Sequence, residues 1–385
     1  MNRTGRCLAS LALLFCALLG LPMLGVILAG KPAREYLEFP PITQHAPHAN
    51  FSWLVFICMA IGILVVVLPF DLKVWLHRNS VWPSPARHRF PWWGWMGLGL
   101  GAITWILAWT RFTWFAPLQH FTFSPLWFAF IIVINALTYR RTGRCMLKDR
   151  PRFILALFAA SAVFWWFFEY LNRFVQNWYY AGIVSLTPIE YFIFATLPFS
   201  TVLPAVLGTY EFLDSIPSAG AGLDSFLRID IRRPKALAWF VLAAAGVGLL
   251  GIGIFPDYLY PLLWVSPLLV IVSMQALCGH PTILSPVRSG CWRRIYLVAM
   301  AALICGFFWE MWNFFSLAQW KYSVPFAGGF KLFEMPLLGF AGYLPFGLEC
   351  AVIGDSVARF VAPFGRALHT TRAMSGLFPS GSTRT

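Results

Sequence analysis

A chain of 385 residues that is 59% hydrophobic, 18% aromatic and only 11% charged is far from a soluble domain, in which about 25% of residues are charged. Its apolar runs of about 20 residues are the length a lipid bilayer demands, so the arithmetic of a water-excluding soluble core does not apply. The net charge of +14 does not point to nucleic acid, because most of the Lys and Arg fall on one side of the predicted spans, as cytoplasmic loops require.

The apolar runs predict an all-α, polytopic integral membrane protein of about ten transmembrane helices. They lie at about 7–30, 52–70, 92–110, 124–139, 153–175, 187–209, 236–255, 258–277, 295–316 and 332–358. The first follows Arg3 and Arg6. Its apolar stretch is longer than a signal peptide needs, so it is expected to be a retained helix, with cleavage near Ala29-Gly30 as the alternative. Pro198 and Pro204 are expected to kink the sixth span, and Pro336 and Pro345 the tenth. Counted on alternate sides, 23 Lys and Arg face one way and 6 the other. That split predicts an even number of spans, both termini cytoplasmic, and residence in the cell inner (plasma) membrane. Basic residues in 140–152 and 228–235 suit anionic headgroups, although helix orientation alone accounts for them.

The chain also repeats itself. Phe168-Glu169-Tyr170-Leu171-Asn172 returns as Trp309-Glu310-Met311-Trp312-Asn313, 141 residues later. Ser124-Pro125 returns as Ser266-Pro267, Asn135-Ala136-Leu137 as Gln275-Ala276-Leu277, and Trp178-Tyr179-Tyr180 as Trp320-Lys321-Tyr322. Glu190 matches Glu334, and Leu203-Pro204 matches Leu344-Pro345. The offsets predict two parallel four-helix repeats. Repeat A covers 91–215 and repeat B 235–358, joined by a cytoplasmic linker at 216–234. Two N-terminal helices in 1–90 precede them, and a basic cytoplasmic tail, 359–385, follows.

An ionisable residue at membrane depth is costly and marks a functional site by default. The candidate catalytic residues are therefore Glu169, Asn172, Glu190, Glu310, Asn313 and Glu334, expected to gather in the outer half of the membrane. Glu169 and Asn172, three residues apart, share a helix face, as do Glu310 and Asn313, so the amides would orient the acids. Trp178, Tyr180, Trp320 and Tyr322 would line the substrate opening. Carboxyls in such surroundings can hold or deliver protons near neutral pH. Simple helix-to-helix hydrogen bonding is the competing explanation. Glu349 and Glu211 rank lower, and Asn135 and Gln275 read as helix contacts.

Eight cysteines, Cys7, Cys16, Cys58, Cys145, Cys278, Cys291, Cys305 and Cys350, form no CxxC pair, so neither a disulfide framework nor a zinc site is expected. His45, His48 and His120 read as loop residues, and no metal site is predicted. The chain has no HExxH, Walker loop, GxSxG or strand-linked GxGxxG, and no cofactor is implied.

Trp178-Tyr179-Tyr180, followed by Leu186-Thr187-Pro188-Ile189-Glu190-Tyr191-Phe192-Ile193-Phe194, resembles the membrane-type lycopene cyclases of carotenoid biosynthesis. In that family an aromatic Trp-x-Tyr segment leads to a Pro-x-Glu-acid motif. The resemblance implies proton-initiated chemistry on a long polyene, with Glu190 as the first acid of the motif. Tyr191 stands at the second acid, and in the second unit the proline follows the acid, as Glu334-Met335-Pro336. The expected function is an enzyme acting on a lipophilic, prenyl or carotenoid-like substrate by acid/base chemistry. The alternatives are a secondary transporter or channel using the paired Glu residues, and a non-catalytic membrane scaffold. The expected partners are membrane lipid and a lipophilic small molecule.

Overall fold

Long apolar segments that cannot leave backbone groups unpaired in lipid fold as helices, and helices make up most of this chain. The computed structural model describes residues 14–41, 43–81, 88–183 and 186–362. Arg3, Arg6, Cys7, the start of the first span and the tail beyond residue 362 lie outside them.

The helices are α1 (Cys16–Leu28), α2 (Trp53–His77), α3 (Trp92–Trp109), α4 (Phe123–Thr142) and α5 (Pro151–Val175). They continue as α6 (Pro188–Phe199), α7 (Val202–Asp214), α8 (Pro234–Ile254), α9 (Ser266–Leu277), α10 (Arg293–Phe314) and α11 (Tyr343–Val361). Among the described residues, 7 helices are long and apolar enough to cross a membrane, or 8 if Pro256–Trp264 and α9, bent by 51°, form one span. The expected ten included α1, whose described part is too short, and α3, whose five tryptophans and four glycines lower its mean hydropathy.

The centre of the bundle is α10, packed between α7 and α11; α5 also lies against α7 and α11. The helix α4 bridges α3 and α7, and α8 packs on α1 and α9. Trp127, Phe168 and Phe346 are the largest fully buried side chains. Small residues allow the closest helix approaches. Gly25 faces the Leu250 backbone, and Gly347 faces that of Val298.

The sixth span, expected to kink, runs as one span, Pro188–Asp214, with a short interruption of the helix. Its two halves, α6 and α7, meet at Ser200 and Thr201, between Pro198 and Pro204. Ser161 of α5 covers the break: its hydroxyl donates to the Phe199 carbonyl at 2.6 Å and accepts from the Leu203 amide at 3.0 Å. The tenth span differs from expectation. Residues 331–336 form a small hairpin of β3 (Lys331–Leu332) and β4 (Met335–Pro336), so Pro336 lies in a strand and kinks nothing. Pro345 sits in the first turn of α11, where a missing N–H goes unnoticed.

The one other sheet among the described residues pairs β1 (Trp178–Ala181) antiparallel with β2 (Gln319–Tyr322). These are the segments expected to line an opening. The connection from α1 to α2 runs over them as a strap. Arg173 donates to the carbonyls of Glu35 and Glu38, and Ser323 to that of Ala46. His48 bonds Asp257 at 2.6 Å, and His45 stands edge-on to Tyr179.

Candidate functional site

Near their C-terminal ends α5 and α10 carry Glu169 and Glu310, both 0% exposed. After α5, Gln176 takes a left-handed conformation and turns the chain back on the helix end. That return brings Trp178 to Asn172. The Asn172 amide donates to the Trp178 carbonyl at 2.8 Å, and its carbonyl accepts from the amides of Asn177 and Trp178 at 2.9 and 3.3 Å. Asn313 does the same for β2, donating to the Trp320 carbonyl and accepting from the Trp320 amide, each at 2.8 Å. The asparagines therefore hold the strands; they do not orient the acids, as the shared helix face had suggested.

The strands in turn supply part of the acids' hydrogen bonds, and the helices supply the rest. The Glu169 Oε1 accepts from the Tyr180 hydroxyl at 2.5 Å and from the indoles of Trp165 and Trp178 at 3.0 and 3.1 Å. The Glu310 Oε1 accepts from the hydroxyls of Tyr322 and Tyr343 at 2.7 and 2.8 Å. The Trp320 indole reaches the Tyr322 hydroxyl at 2.9 Å. In both residues Oε2 is buried with no hydrogen-bond partner among the described residues. No ion pair to either acid occurs among them. Burial, with the nearby carboxyl second, pushes the hydroxyls of Tyr180 and Tyr322 well above the ordinary tyrosine range, so both remain O–H donors.

The ladder places these donors side by side. Trp178 pairs with Tyr322, and Tyr180 with Trp320. Directly opposed residues of an antiparallel pair point to the same face, and alternate residues of a strand do too. All four aromatics thus hang from one face of the ribbon, over two carboxyls. Behind them, Trp165 and Trp309 approach at 6.3 Å, and Trp309 stacks on Tyr343 at 5.9 Å. Phe346 touches Trp165, Phe168 and Trp309.

The four expected acids gather only in part: Glu334 lies near enough to Glu310 to act on it electrostatically, and Glu190 stands apart. Glu190 completes a capping box with Thr187 at the start of α6 and is exposed. Glu334 lies in the β3–β4 hairpin, 3.7 Å from Lys331. Glu190 is a surface residue and Glu334 is half-buried, and each has a local structural partner. Glu190→Gln is expected to weaken only the cap of α6 and to leave any chemistry at Glu169 and Glu310 intact. Loss of turnover, or global unfolding in a thermal melt, would contradict this assignment.

Three participants escaped the sequence. Trp165 lies one turn before Glu169, a spacing that could have been read. Tyr343 comes from α11, whose start was misplaced. Tyr191 has a buried hydroxyl without a partner among the described residues, and its ring lies 6.4 Å from that of Tyr180. Glu349, ranked low, is 1% exposed; its Oε1 accepts from the Leu268 amide at 3.0 Å, and its Oε2 is unpartnered. Glu211 pairs with Arg150. Asn135 ties α4 to the Leu147 amide. Among the described residues no three His, Cys, Asp or Glu side chains converge as metal ligands. Compared with family models, curated proteins and solved structures, the chain matches none.

Proposed function

We propose that this chain is a plasma-membrane enzyme that acts on a lipophilic, prenyl or carotenoid-like substrate by acid/base chemistry at Glu169 and Glu310. The observation that carries this is the division of labour within each carboxyl. With Oε1 already occupied by aromatic donors, the oxygen left to bear and transfer a proton is Oε2, buried and without a partner. An acid that protonates a carbon–carbon double bond leaves a carbocation, and aromatic faces stabilise cations. Loss of a proton from a neighbouring carbon to the same carboxylate closes the cycle, with no other reactant consumed. The resemblance of the Trp178–Phe194 region to the lycopene cyclases supports the same chemistry, with the acid moved from Glu190 to Glu169.

The proposal includes two parallel four-helix units, 91–215 and 235–358, with both termini cytoplasmic and α1 and α3 counted among ten spans. The ladder supports it: a two-fold rotation about the Tyr179–Lys321 pair exchanges Trp178 with Trp320 and Tyr180 with Tyr322, the residues related by the sequence offset. In membranes carrying Glu169→Gln and Glu310→Gln together, turnover of a prenyl or carotenoid-like substrate will fall by at least about 10²-fold, the usual contribution of one positioned acid or base. Undiminished turnover would remove the proposal.

Proton-coupled transport is a second reading, supported by the 51° elbow before α9 and by Glu349 at that elbow. Cysteine labelling that reached these positions from both sides of the membrane would favour it; labelling from one side favours a closed pocket.

A further inference from the structure

Where the strap between α1 and α2 passes the C-terminal end of α5, it encloses a cavity of about 90 Å³. Glu35, Tyr36, Glu38, Thr43, Arg173 and Gln176 line it. Two of these, Arg173 and Thr43, are each only 8% exposed. The Arg173 guanidinium donates to the backbone carbonyls of Glu35 and Glu38, which use fewer N–H donors than it carries. Among the described residues no carboxylate forms an ion pair with it. The Thr43 hydroxyl has no hydrogen-bond partner among them. A buried cation without a counter-ion and a buried hydroxyl without a partner are both costly. One anionic group in the cavity would satisfy both, and a guanidinium fork fits the oxygens of a phosphate.

The rim carries the opposite charge. Glu35 and Glu38 are exposed, and neither carboxylate forms an ion pair among the described residues. A plain anion would be repelled by both. A zwitterion matches the whole site, with its anionic group on Arg173 and Thr43 and its ammonium between the two carboxylates. A primary ammonium has N–H groups for those carboxylates. A quaternary one has none and takes an aromatic cage, whereas Tyr36 is the one aromatic among the described lining residues.

Apolar neighbours make that zwitterion the head of a lipid. Leu37 and Phe39, flanking Glu38, are both exposed. Phe39 reaches Trp166 of α5 and Phe192 of α6, with ring centroids at 5.3 and 5.4 Å. Trp166 lies seven residues before Arg173, so the two share a helix face, about 10 Å apart along the axis. Ile193, one turn after Ile189 on α6, is exposed like it. A headgroup held at Arg173 would lay its acyl chain down this wall toward the membrane centre.

We propose that the cavity is a headgroup site for an ethanolamine phospholipid. Arg173 and the Thr43 hydroxyl hold the phosphate, Glu35 and Glu38 hold the ammonium, and Phe39, Trp166 and Phe192 guide the acyl chain. The bound lipid fastens the strap to α5. No chemistry at Glu169 or Glu310 is involved, so the assignment stands or falls apart from the acid/base reading.

Native mass spectrometry of the delipidated, full-length protein tests this, with dioleoyl phosphatidylethanolamine, phosphatidylcholine and phosphatidylglycerol titrated separately. The ethanolamine lipid will bind at least about tenfold more tightly than the other two, the scale of one charge-assisted hydrogen bond. Arg173→Gln will abolish the preference, but it also frees the strap. Thr43→Val is the sharper variant, because it removes a hydroxyl that no protein group uses. The lipid-free melting temperature will hold or rise, while affinity for the ethanolamine lipid falls about tenfold. Glu35→Gln/Glu38→Gln will bring phosphatidylglycerol at least level with the ethanolamine lipid. The proposal is overturned if the three lipids bind alike or if Thr43→Val leaves affinity unchanged. It is also overturned if soluble phosphoethanolamine competes as well as the lipid, which would make the ligand a free headgroup.

Discussion

Asn172→Ala will destabilise the protein by about 4 kcal/mol, the cost of stranding several buried backbone groups at about 1–3 kcal/mol each. The side chain satisfies two amides and one carbonyl at the start of β1, and it is 0% exposed, so no water replaces it. Asn313→Ala removes two bonds at the less buried β2 and will cost about two thirds as much by the same count. Thermal unfolding in lipid nanodiscs measures the loss, and amide hydrogen exchange locates it. Protection will fall along 177–181 in the first variant and at 319–322 in both, because the strands share a ladder. A stability loss below 1 kcal/mol, with ladder protection intact, would mean that the asparagines do not hold the strands.

Gly347→Leu will do more damage than its chemistry suggests. A Cβ on Gly347 lands on the backbone carbonyl of Val298, with the Ala299 Cα at 3.0 Å. Backbone cannot step aside as a side chain can, so α11 must move off α10, at a cost of about 3 kcal/mol or more from overpacking. Tyr343 lies one helical turn before Gly347, so the same displacement pulls its hydroxyl from Glu310. The melting temperature and any turnover that depends on Glu310 will drop together. Gly62 on α2 has nothing within 4 Å of its Cβ position, and Gly62→Ala will leave both unchanged or raise stability by about 0.5–1 kcal/mol. A Gly347→Leu protein that melts with wild type would show that the α10–α11 approach is not tight.

The spans were legible in the sequence because lipid imposes length and hydropathy together; α5, α8 and α10 begin and end within two residues of expectation. The start of the tenth was not, because Phe333, Met335 and Leu337 are apolar yet sit in and after a hairpin; hydropathy does not see strands this short. At the site, the doubled Glu-x-x-Asn named the right helix ends. It gave the wrong role for asparagine, since three-residue spacing fixes which face a side chain leaves and not which group it meets. Glu190 and Glu334 were chosen for depth along the chain. Capping chemistry at Thr187-Pro188 was the stronger signal: a Thr with Glu three residues on, before an apolar run, marks a helix start.

The ribbon of β1 and β2 makes the two carboxyls share one fate. Strand register is quantised: a slip of one residue turns every side chain to the opposite face. Here such a slip in either strand would take both of that strand's aromatic partners from the carboxyl they serve and break the facing pairs of the other. Neither site can lose its ribbon donors by degrees, although Trp165 and Tyr343 stay in place on their helices. The ribbon works as a shared latch, and damage to one half will be felt as failure of a pair.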